Sequence, residues 1–269
     1  MSFETTIVQP ALRDVEPLIV GREVRVFEAI DSTNVYLRGQ AHAGATEGLL
    51  AIANEQTAGR GRLGRTWNAP PDTSVLLSVL LRPTWLAVSD SFLLTMLAAV
   101  VIAEAIEDVT DLEIDVKWPN DVQINGRKVA GILVDVEMQS PDRLEWAIIG
   151  SGINVNWQPN DDPTISQSAT SLAAETGKLV DRSALIRAIV QNYDRRYLML
   201  RNGQHEALRD AWIKRLTTLG QTVSVETARE TFTGIAESVA HDGGLQVRRT
   251  DGRLQTVYAG DVRVRKHDN

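Results

Sequence analysis

The pattern of apolar and polar positions divides the chain into two parts. Up to about residue 218, short apolar runs typical of strands alternate with longer segments that have helical spacing. The predicted strands cover residues 24–27, 49–53, 74–81, 113–118 and 146–155, with a hairpin at residues 122–136. The predicted helices cover residues 35–42, 90–108, 168–177, 181–200 and 205–216.

The pattern changes after Gly220. Five short strands separated by turn residues follow within about 50 residues, which is typical of a small β-barrel. They are predicted at residues 222–225, 230–239, 245–248, 254–258 and 262–264. The sequence therefore predicts an α+β fold: a mixed β-sheet flanked by helices in residues 1–218, then a small β domain in residues 219–269. Residues 1–22 show no clear period and are predicted to be a short lead-in.

Composition narrows the class of protein. The 269 residues carry a net charge of -7 and no cysteine, so disulfides, thiolate zinc sites and cysteine nucleophiles are excluded. A DNA-binding protein usually has a basic footprint, and none is visible overall. The N-terminus has no secretory-signal pattern, and the longest apolar stretch, residues 92–106, is short for a membrane span. We therefore expect a cytoplasmic protein without DNA or membrane partners.

A glycine- and arginine-rich loop is the most informative segment. Residues 59–66, GRGRLGRT, satisfy the dinucleotide pattern G-x-G-x-x-G and nearly satisfy the P-loop pattern, with Arg65 in place of lysine. Both motifs require a helix immediately after the loop, whereas the Pro70-Pro71 pair and another predicted strand follow here. Arginine forks match carboxylate and phosphate oxygens, so Arg60, Arg62 and Arg65 suggest an anion clamp. A solvated basic loop is an equally good interpretation of this segment alone.

A second group of charged residues surrounds the predicted hairpin. Lys117 and Asp121 lie at a strand end, and Lys128 follows the Asn125-Gly126 turn. Lysine supplies a point charge for phosphate, and aspartate can hold Mg²⁺ or orient a proton. A plain hairpin with exposed charges is the alternative.

Five ordered motifs resemble those of biotin–protein ligases. They are STN at 32–34, EQTAGRGRLGRTW at 55–67, KWPND at 117–121, RKVAGI at 127–132 and GSGINVN at 150–156. Their order and spacing match over roughly residues 25–175. The resemblance implies a catalytic domain similar to class II aminoacyl-tRNA synthetases, followed by an SH3-like domain. Some members of this family also carry an N-terminal DNA-binding helix-turn-helix domain, for which the lead-in is too short.

The resemblance implies a two-step reaction with ATP, biotin and Mg²⁺. Biotin is activated to biotinyl-5'-AMP with release of pyrophosphate, and is then transferred to a lysine of the biotin carboxyl carrier domain of a carboxylase. Lys128 is the first candidate for a catalytic residue. The other catalytic candidates are Arg60, Arg62, Lys117 and Asp121, and Asp121 is also the candidate ligand of Mg²⁺.

The same resemblance assigns the binding residues. Biotin would be bound by Ser32, Thr33, Asn34, Gln56, Arg60, Gly61, Arg62, Lys128 and Gly131. ATP and the adenylate would be bound by Arg62, Arg65, Trp67, Lys117, Asn120 and Asn154. Separately, the polar composition and the position of residues 157–167 suggest a lid that orders over the adenylate. Simpler explanations are a helix N-cap for Ser32, a core position for Trp67 and close backbone packing for Gly150 and Gly152.

Three other functions are compatible with parts of the sequence. A lipoate or octanoate ligase would share the chemistry but would not need polar groups for a ureido ring. A non-catalytic module would bind biotin or its adenylate without turnover. A nucleic-acid binder would use the basic residues of the C-terminal domain, which are Arg248, Arg249, Arg253, Arg263, Arg265 and Lys266.

Overall fold

Two β-sheets and six α-helices make up the fold in the computed structural model, which describes residues 2–158, 167–227, 229–258 and 260–264. The first seven strands are β1 Glu23–Ile30, β2 Leu49–Gln56, β3 Ser74–Leu81, β4 Asp115–Lys117, β5 Asp121–Ile124, β6 Arg127–Ser140 and β7 Arg143–Asn154. The last five are β8 Thr222–Glu226, β9 Thr231–Val239, β10 Leu245–Arg249, β11 Leu254–Val257 and β12 Asp261–Val264. The α-helices are α1 Gln9–Leu12, α2 Thr33–His42, α3 Phe92–Val109, α4 Leu172–Thr176, α5 Arg182–Arg201 and α6 His205–Ile213.

The first seven strands form one mixed sheet in the order β1-β2-β3-β7-β6-β5-β4. Only the β1–β2 pair is parallel among the described ladders of this sheet, and the others are antiparallel. The last five strands form a separate antiparallel sheet in the order β11-β10-β9-β8-β12. The predicted fold class, a mixed sheet flanked by helices with a small C-terminal β unit, is confirmed.

Helices cover both faces of the large sheet. On one face, α3 packs against β5, β6 and β7 and is itself covered by α5 and α6. On the other face, α2 packs against β2, β3 and β7 through a smaller apolar cluster that includes Leu37, Leu80 and Trp146. Successive side chains of β3 point to opposite faces of the sheet and so explain this arrangement. Leu77 and Val79 face the α3 side, whereas Ser78 and Leu80 face the α2 side. The N-terminus of α2 is thereby fixed over the polar residues of β3.

Two segments differ from the prediction. Residues 168–177 are helical only in α4, because residues 168–170 pair with strand β6 instead: the N–H of Lys128 donates to Ser168 O (2.9 Å) and the N–H of Thr170 donates to Lys128 O (2.8 Å). The lead-in is also partly regular, since a π-helical segment Glu4–Val8 continues into α1. Phe3 is buried there, and its N–H donates to Glu28.

The predicted helix starts are only partly correct. Ser32 occupies the N-cap position of α2, yet its side chain makes no capping hydrogen bond. Helix α3 begins after Ser91 and not at residue 90 as predicted, because a short 3-10 turn, Val88–Asp90, precedes it. In the described part of the chain, no helix is long and apolar enough to cross a membrane.

Candidate active site

One cleft gathers almost all of the residues that the sequence motifs singled out. It lies where the N-terminus of α2, the end of β2, the loop after β2, the β4–β5 connection, the first half of β6 and the second half of β7 meet. Gly260 and Val262, just before and within β12 of the small sheet, also line it. The predicted site residues that line it are Ser32, Thr33, Asn34, Gln56, Arg60, Gly61, Arg62, Arg65, Trp67, Lys117, Asn120, Asp121, Lys128 and Gly131. Asn154 does not line the cleft.

The wall on the α2 side is an uncharged hydrogen-bond network. The N–H of Thr33 donates to Gln56 Oε1 (2.8 Å), and the Thr33 hydroxyl lies 2.7 Å from the hydroxyl of Ser78. Ser78 donates in turn to Asn34 Oδ1 (2.6 Å). Thr33, Asn34 and Ser78 are all nearly inaccessible to solvent. Each polar group is therefore fixed by a neighbour, and Gln56 at the end of β2 is oriented by α2.

Ser78 belongs to this network although no motif included it. It lies inside the apolar run that forms β3 and is fully buried. Its only sequence signal is a hydroxyl in the middle of a buried strand that is otherwise aliphatic after Ser74. A buried polar group in such a position usually has a hydrogen-bond partner.

Glycines on the two central strands make room for cleft side chains. A Cβ on Gly150 would lie 2.0 Å from Asn34 Oδ1. Gly131 and Gly152 face each other across β6 and β7, and the indole of Trp67 lies over both: added Cβ atoms would be 2.8 Å and 2.4 Å from its ring atoms. The close-packing explanation for Gly150 and Gly152 is thus supported, with side chains rather than backbone as the packed neighbours.

The opposite wall is charged. Lys128 Nζ lies 2.6 Å from Asp121 Oδ1 and 5.5 Å from the centre of the Trp67 ring. Arg62 Nη1 donates to Asn120 Oδ1 (2.7 Å), and Asn120 Nδ2 donates to Ile132 O (2.7 Å). The Lys128 and Asp121 side chains are 31% and 26% exposed, so both remain accessible from the cleft. This wall can therefore present positive charge to an anion.

The glycine- and arginine-rich loop folds back on itself. Gly61 N–H donates to Arg65 O (2.7 Å) and Trp67 N–H donates to Gly59 O (3.0 Å) around a 3-10 turn at Arg62–Gly64. A Cβ on Gly59 would lie 2.2 Å from Trp67 O, so only glycine permits this approach. No helix follows the loop, and strand β3 comes next. The exclusion of a dinucleotide fold and of a P-loop is confirmed.

Two predicted features lie apart from the cleft lining. The side chain of Asn154 is largely buried at the end of β7, where its Nδ2 donates to Thr170 O (3.0 Å). Its assignment to adenine stays a prediction. The predicted lid, residues 157–167, lies mostly outside the described residues, because 159–166 are not among them.

The fold and the cleft together define a class of protein: an α+β ligand-binding domain, joined to a small antiparallel β unit, with a cleft that combines an uncharged wall with a cationic one. Sequence profiles agree with this class. The profile of the biotin/lipoate A/B protein ligase family matches residues 26–154. The profile of the biotin protein ligase C terminal domain matches residues 218–265.

Individual relatives are similar along most of the chain. The bifunctional ligase/repressor BirA of Bacillus subtilis is 33% identical over 247 residues, which are 91% of this chain and 75% of that protein. The biotin--[acetyl-CoA-carboxylase] ligase of Mycobacterium tuberculosis is 32% identical over 246 residues, 90% and 88% of the two chains. The biotin protein ligase of Aquifex aeolicus in complex with biotin and ATP has a TM-score of 0.77 at 26% identity, covering 91% and 99%. The chain belongs to the biotin–protein ligase family.

Proposed function

We propose that this chain is an ATP-dependent biotin–protein ligase. It would convert biotin to biotinyl-5'-AMP with release of pyrophosphate, and then transfer biotin to a lysine of a biotin carboxyl carrier domain. The observation that carries the proposal is the pairing of two walls in one cleft, one uncharged and hydrogen-bonding, the other cationic. The proposal divides the chain into a catalytic domain, residues 1–218, and a C-terminal domain, residues 219–269.

The uncharged wall suits the ureido head of biotin. A cyclic urea has two N–H donors and one carbonyl acceptor, and it carries no charge. Ser32, Thr33 and Gln56 offer hydroxyl and amide groups at the end of the cleft, where Thr33 is hydrogen-bonded to both Gln56 and Ser78. A network whose members are already oriented loses little entropy on binding, which favours a small polar ligand.

The charged wall suits the first half-reaction. A carboxylate oxygen of biotin must attack the α-phosphorus of ATP, and the bond from that phosphorus to pyrophosphate must break. Two anions are brought together, so catalysis requires positive charge and alignment more than covalent help. The cationic side chains of Lys128, Arg60 and Arg62 would neutralise the negative charge of the biotin carboxylate and of the α-phosphate. Lys117 and Arg65 would bind the pyrophosphate side, with Trp67 beside the nucleotide.

Magnesium fits this cleft only in company with ATP. Asp121 is the single carboxylate that the described part of the chain contributes to the cleft lining, and no cluster of three or more metal-binding side chains occurs among the described residues. Mg²⁺ in nucleotide sites is commonly held by one or two carboxylates together with substrate phosphates. Asp121 would be its protein ligand, and the ion would neutralise part of the phosphate charge.

The second half-reaction transfers the biotinyl group. The neutral lysine amine of the acceptor attacks the acyl carbon of the mixed anhydride, the bond to the AMP oxygen breaks, and the amine proton must leave. Asp121 is the candidate to receive that proton, because it is the carboxylate beside Lys128 at 2.6 Å. The carrier domain of a carboxylase is the acceptor that we propose.

The rival functions are less compatible with the described geometry. A lipoate or octanoate chain would leave the Thr33–Gln56–Ser78 network facing an aliphatic ligand, which wastes its hydrogen-bonding groups. A nucleic-acid surface on the small sheet would need free arginines. Three of them are paired there instead: Arg248 with Glu237, Arg249 with Glu230 and Arg253 with Asp251.

The test is biotin-dependent exchange of labelled pyrophosphate into ATP. We expect exchange with biotin and not with lipoate, and a loss of about 100-fold or more in Lys128→Ala, which is typical when one charged stabilising group is removed. Lys178→Ala is the matched control, since Lys178 is an exposed lysine that does not line the cleft. Exchange with lipoate alone would overturn the substrate. Binding of biotin without any exchange would favour the non-catalytic module.

A further inference from the structure

A turn of the small sheet packs against the large sheet next to the cleft. Residues 240–244 connect β9 and β10. The carbonyl of Gly243 accepts a hydrogen bond from Trp118 Nε1 (3.0 Å). Arg209 of α6 donates to Ala240 O (3.1 Å) and also to His241 O. The turn is thus held by two buried side chains of the larger part of the molecule.

Shape complements these hydrogen bonds. Gly243 has a positive φ of 88°, and a Cβ at this position would lie 2.0 Å from a ring carbon of Phe92. The turn therefore approaches α3 so closely that only glycine fits at this position. Trp118 is 1% exposed, so water cannot replace the carbonyl of Gly243 as the acceptor for its indole N–H.

Trp118 joins this turn to the charged wall. It lines the cleft together with its neighbours Lys117 and Asn120, and its backbone N–H donates to Thr218 Oγ1 (3.0 Å). Asn120 in turn accepts from Arg62 (2.7 Å). A chain of contacts therefore runs from the small sheet through Trp118 to the glycine- and arginine-rich loop. The uncharged wall, built on α2, β2 and β3, is not part of it.

We propose that Trp118 is a positioning residue for the nucleotide side of the cleft. Its hydrogen bond to Gly243 fixes segment 117–121, so that docking of the small sheet sets the affinity for ATP while leaving the affinity for biotin unchanged. This inference rests on the proposed function, which assigns Lys117 to the pyrophosphate side of ATP, and on the sequence prediction that Asn120 binds ATP.

The test replaces Trp118 with phenylalanine, which keeps an aromatic ring and removes the N–H donor. Trp212→Phe is a matched control. Trp212 is also fully buried at this junction, with its ring 5.7 Å from that of Phe92, and its Nε1 has no hydrogen-bond partner among the described residues. Both variants lose the same atoms from a buried tryptophan, and only Trp118→Phe loses a hydrogen bond. Trp118 also lines the cleft, whereas Trp212 does not, so Arg209→Met tests the docking from outside the cleft.

We expect Trp118→Phe to raise the KM for ATP in the exchange assay about tenfold, the effect of losing one buried hydrogen bond and leaving its acceptor unpaired. The KM for biotin and the biotin Kd should stay within about twofold, as should all constants of Trp212→Phe. Arg209→Met should raise the KM for ATP in the same direction, although Arg209 does not line the cleft. Amide exchange of segment 117–121 should accelerate in Trp118→Phe and not in Trp212→Phe.

Two results would overturn the inference: a KM for ATP in Trp118→Phe equal to that of Trp212→Phe, or an equal rise of both KM values, which would indicate a general loss of structure. Failure of the proposed function is a different result, because then the unmodified protein shows no biotin-dependent exchange. In that case the amide-exchange comparison decides the positioning role alone, and unchanged exchange of segment 117–121 would contradict it.

Discussion

The two walls of the cleft are built from different kinds of interaction. On the α2 side, Thr33, Asn34 and Ser78 are buried, uncharged and bonded to one another at 2.6 to 2.7 Å. On the other side, Lys128 and Asp121 are partly exposed and form an ion pair at 2.6 Å. The first wall is a rigid template for a ligand. In the second wall, a ligand anion can attract the lysine away from its aspartate partner.

The difference follows from the elements that carry each wall. The uncharged residues lie at the N-terminus of a helix and on a central strand, where burial favours pairing of polar groups with one another. The charged residues lie on a loop and near the ends of strands β4, β5 and β6, where solvent screens charge and side chains can move. Substitutions on the two walls should therefore change different constants: the affinity for biotin on one side, the affinity for ATP on the other.

The largest effect is expected for Gly150→Ala on the uncharged wall. The new Cβ would lie 2.0 Å from Asn34 Oδ1, and Asn34 cannot move without breaking its bond to Ser78. We expect the biotin Kd, measured by calorimetry, to rise about 100-fold or more, the cost of an overpacked core with a broken network.

Gly39→Ala is the control for this substitution. Gly39 lies in helix α2, and a Cβ there would meet no atom within 4 Å. This variant should bind biotin normally and be more stable by about 0.5–1 kcal/mol, because alanine favours a helix over glycine. Equal biotin affinity in the two variants would contradict the template role of the uncharged wall.

A smaller effect is expected for Ser78→Ala. Loss of the hydroxyl leaves Thr33 and Asn34 without their common partner, so the biotin Kd should rise about tenfold while the KM for ATP stays within about twofold. Ser74→Ala is matched to it: Ser74 lies on the same face of β3, is equally buried, and its hydroxyl has no partner in the described structure. If both serine variants weaken biotin binding equally, the loss reflects burial in β3 and the network has no special role.

The fold could be predicted where local pattern and tertiary environment agree. The apolar run of β3 and the Asn125-Gly126 hairpin were predicted with correct positions, because a continuous apolar run and a turn dipeptide are local signals. Residues 168–170 were wrongly predicted as helix. Their backbone pairs with Lys128, about 40 residues earlier, and a contact of that range leaves no trace in local periodicity.

The site could be predicted to the extent that motifs contain it. The motif residues converge in one cleft, with Asn154 outside its lining. Ser78 was missed because its partners, Thr33 and Asn34, are 45 and 44 positions away, and a lone serine in a strand has no distinctive spacing. The function of Gly150 was ambiguous for the same reason, since Asn34 approaches it only in three dimensions.

The smallest expected effect is that of salt concentration, which distinguishes the two walls in the unmodified protein. Raising the salt concentration from about 0.05 to about 0.5 M shortens the screening length severalfold, so the KM for ATP should rise about fivefold through weaker attraction to Lys128 and the loop arginines. Biotin methyl ester, which has the ureido head and no carboxylate, should bind with a Kd that changes by less than about twofold, because the wall that receives it is uncharged. Mg²⁺ is kept saturating throughout, so that the nucleotide remains in one form. A salt dependence of the ester as steep as that of ATP would mean that charge also governs the α2 side, and the contrast between the two walls would not hold.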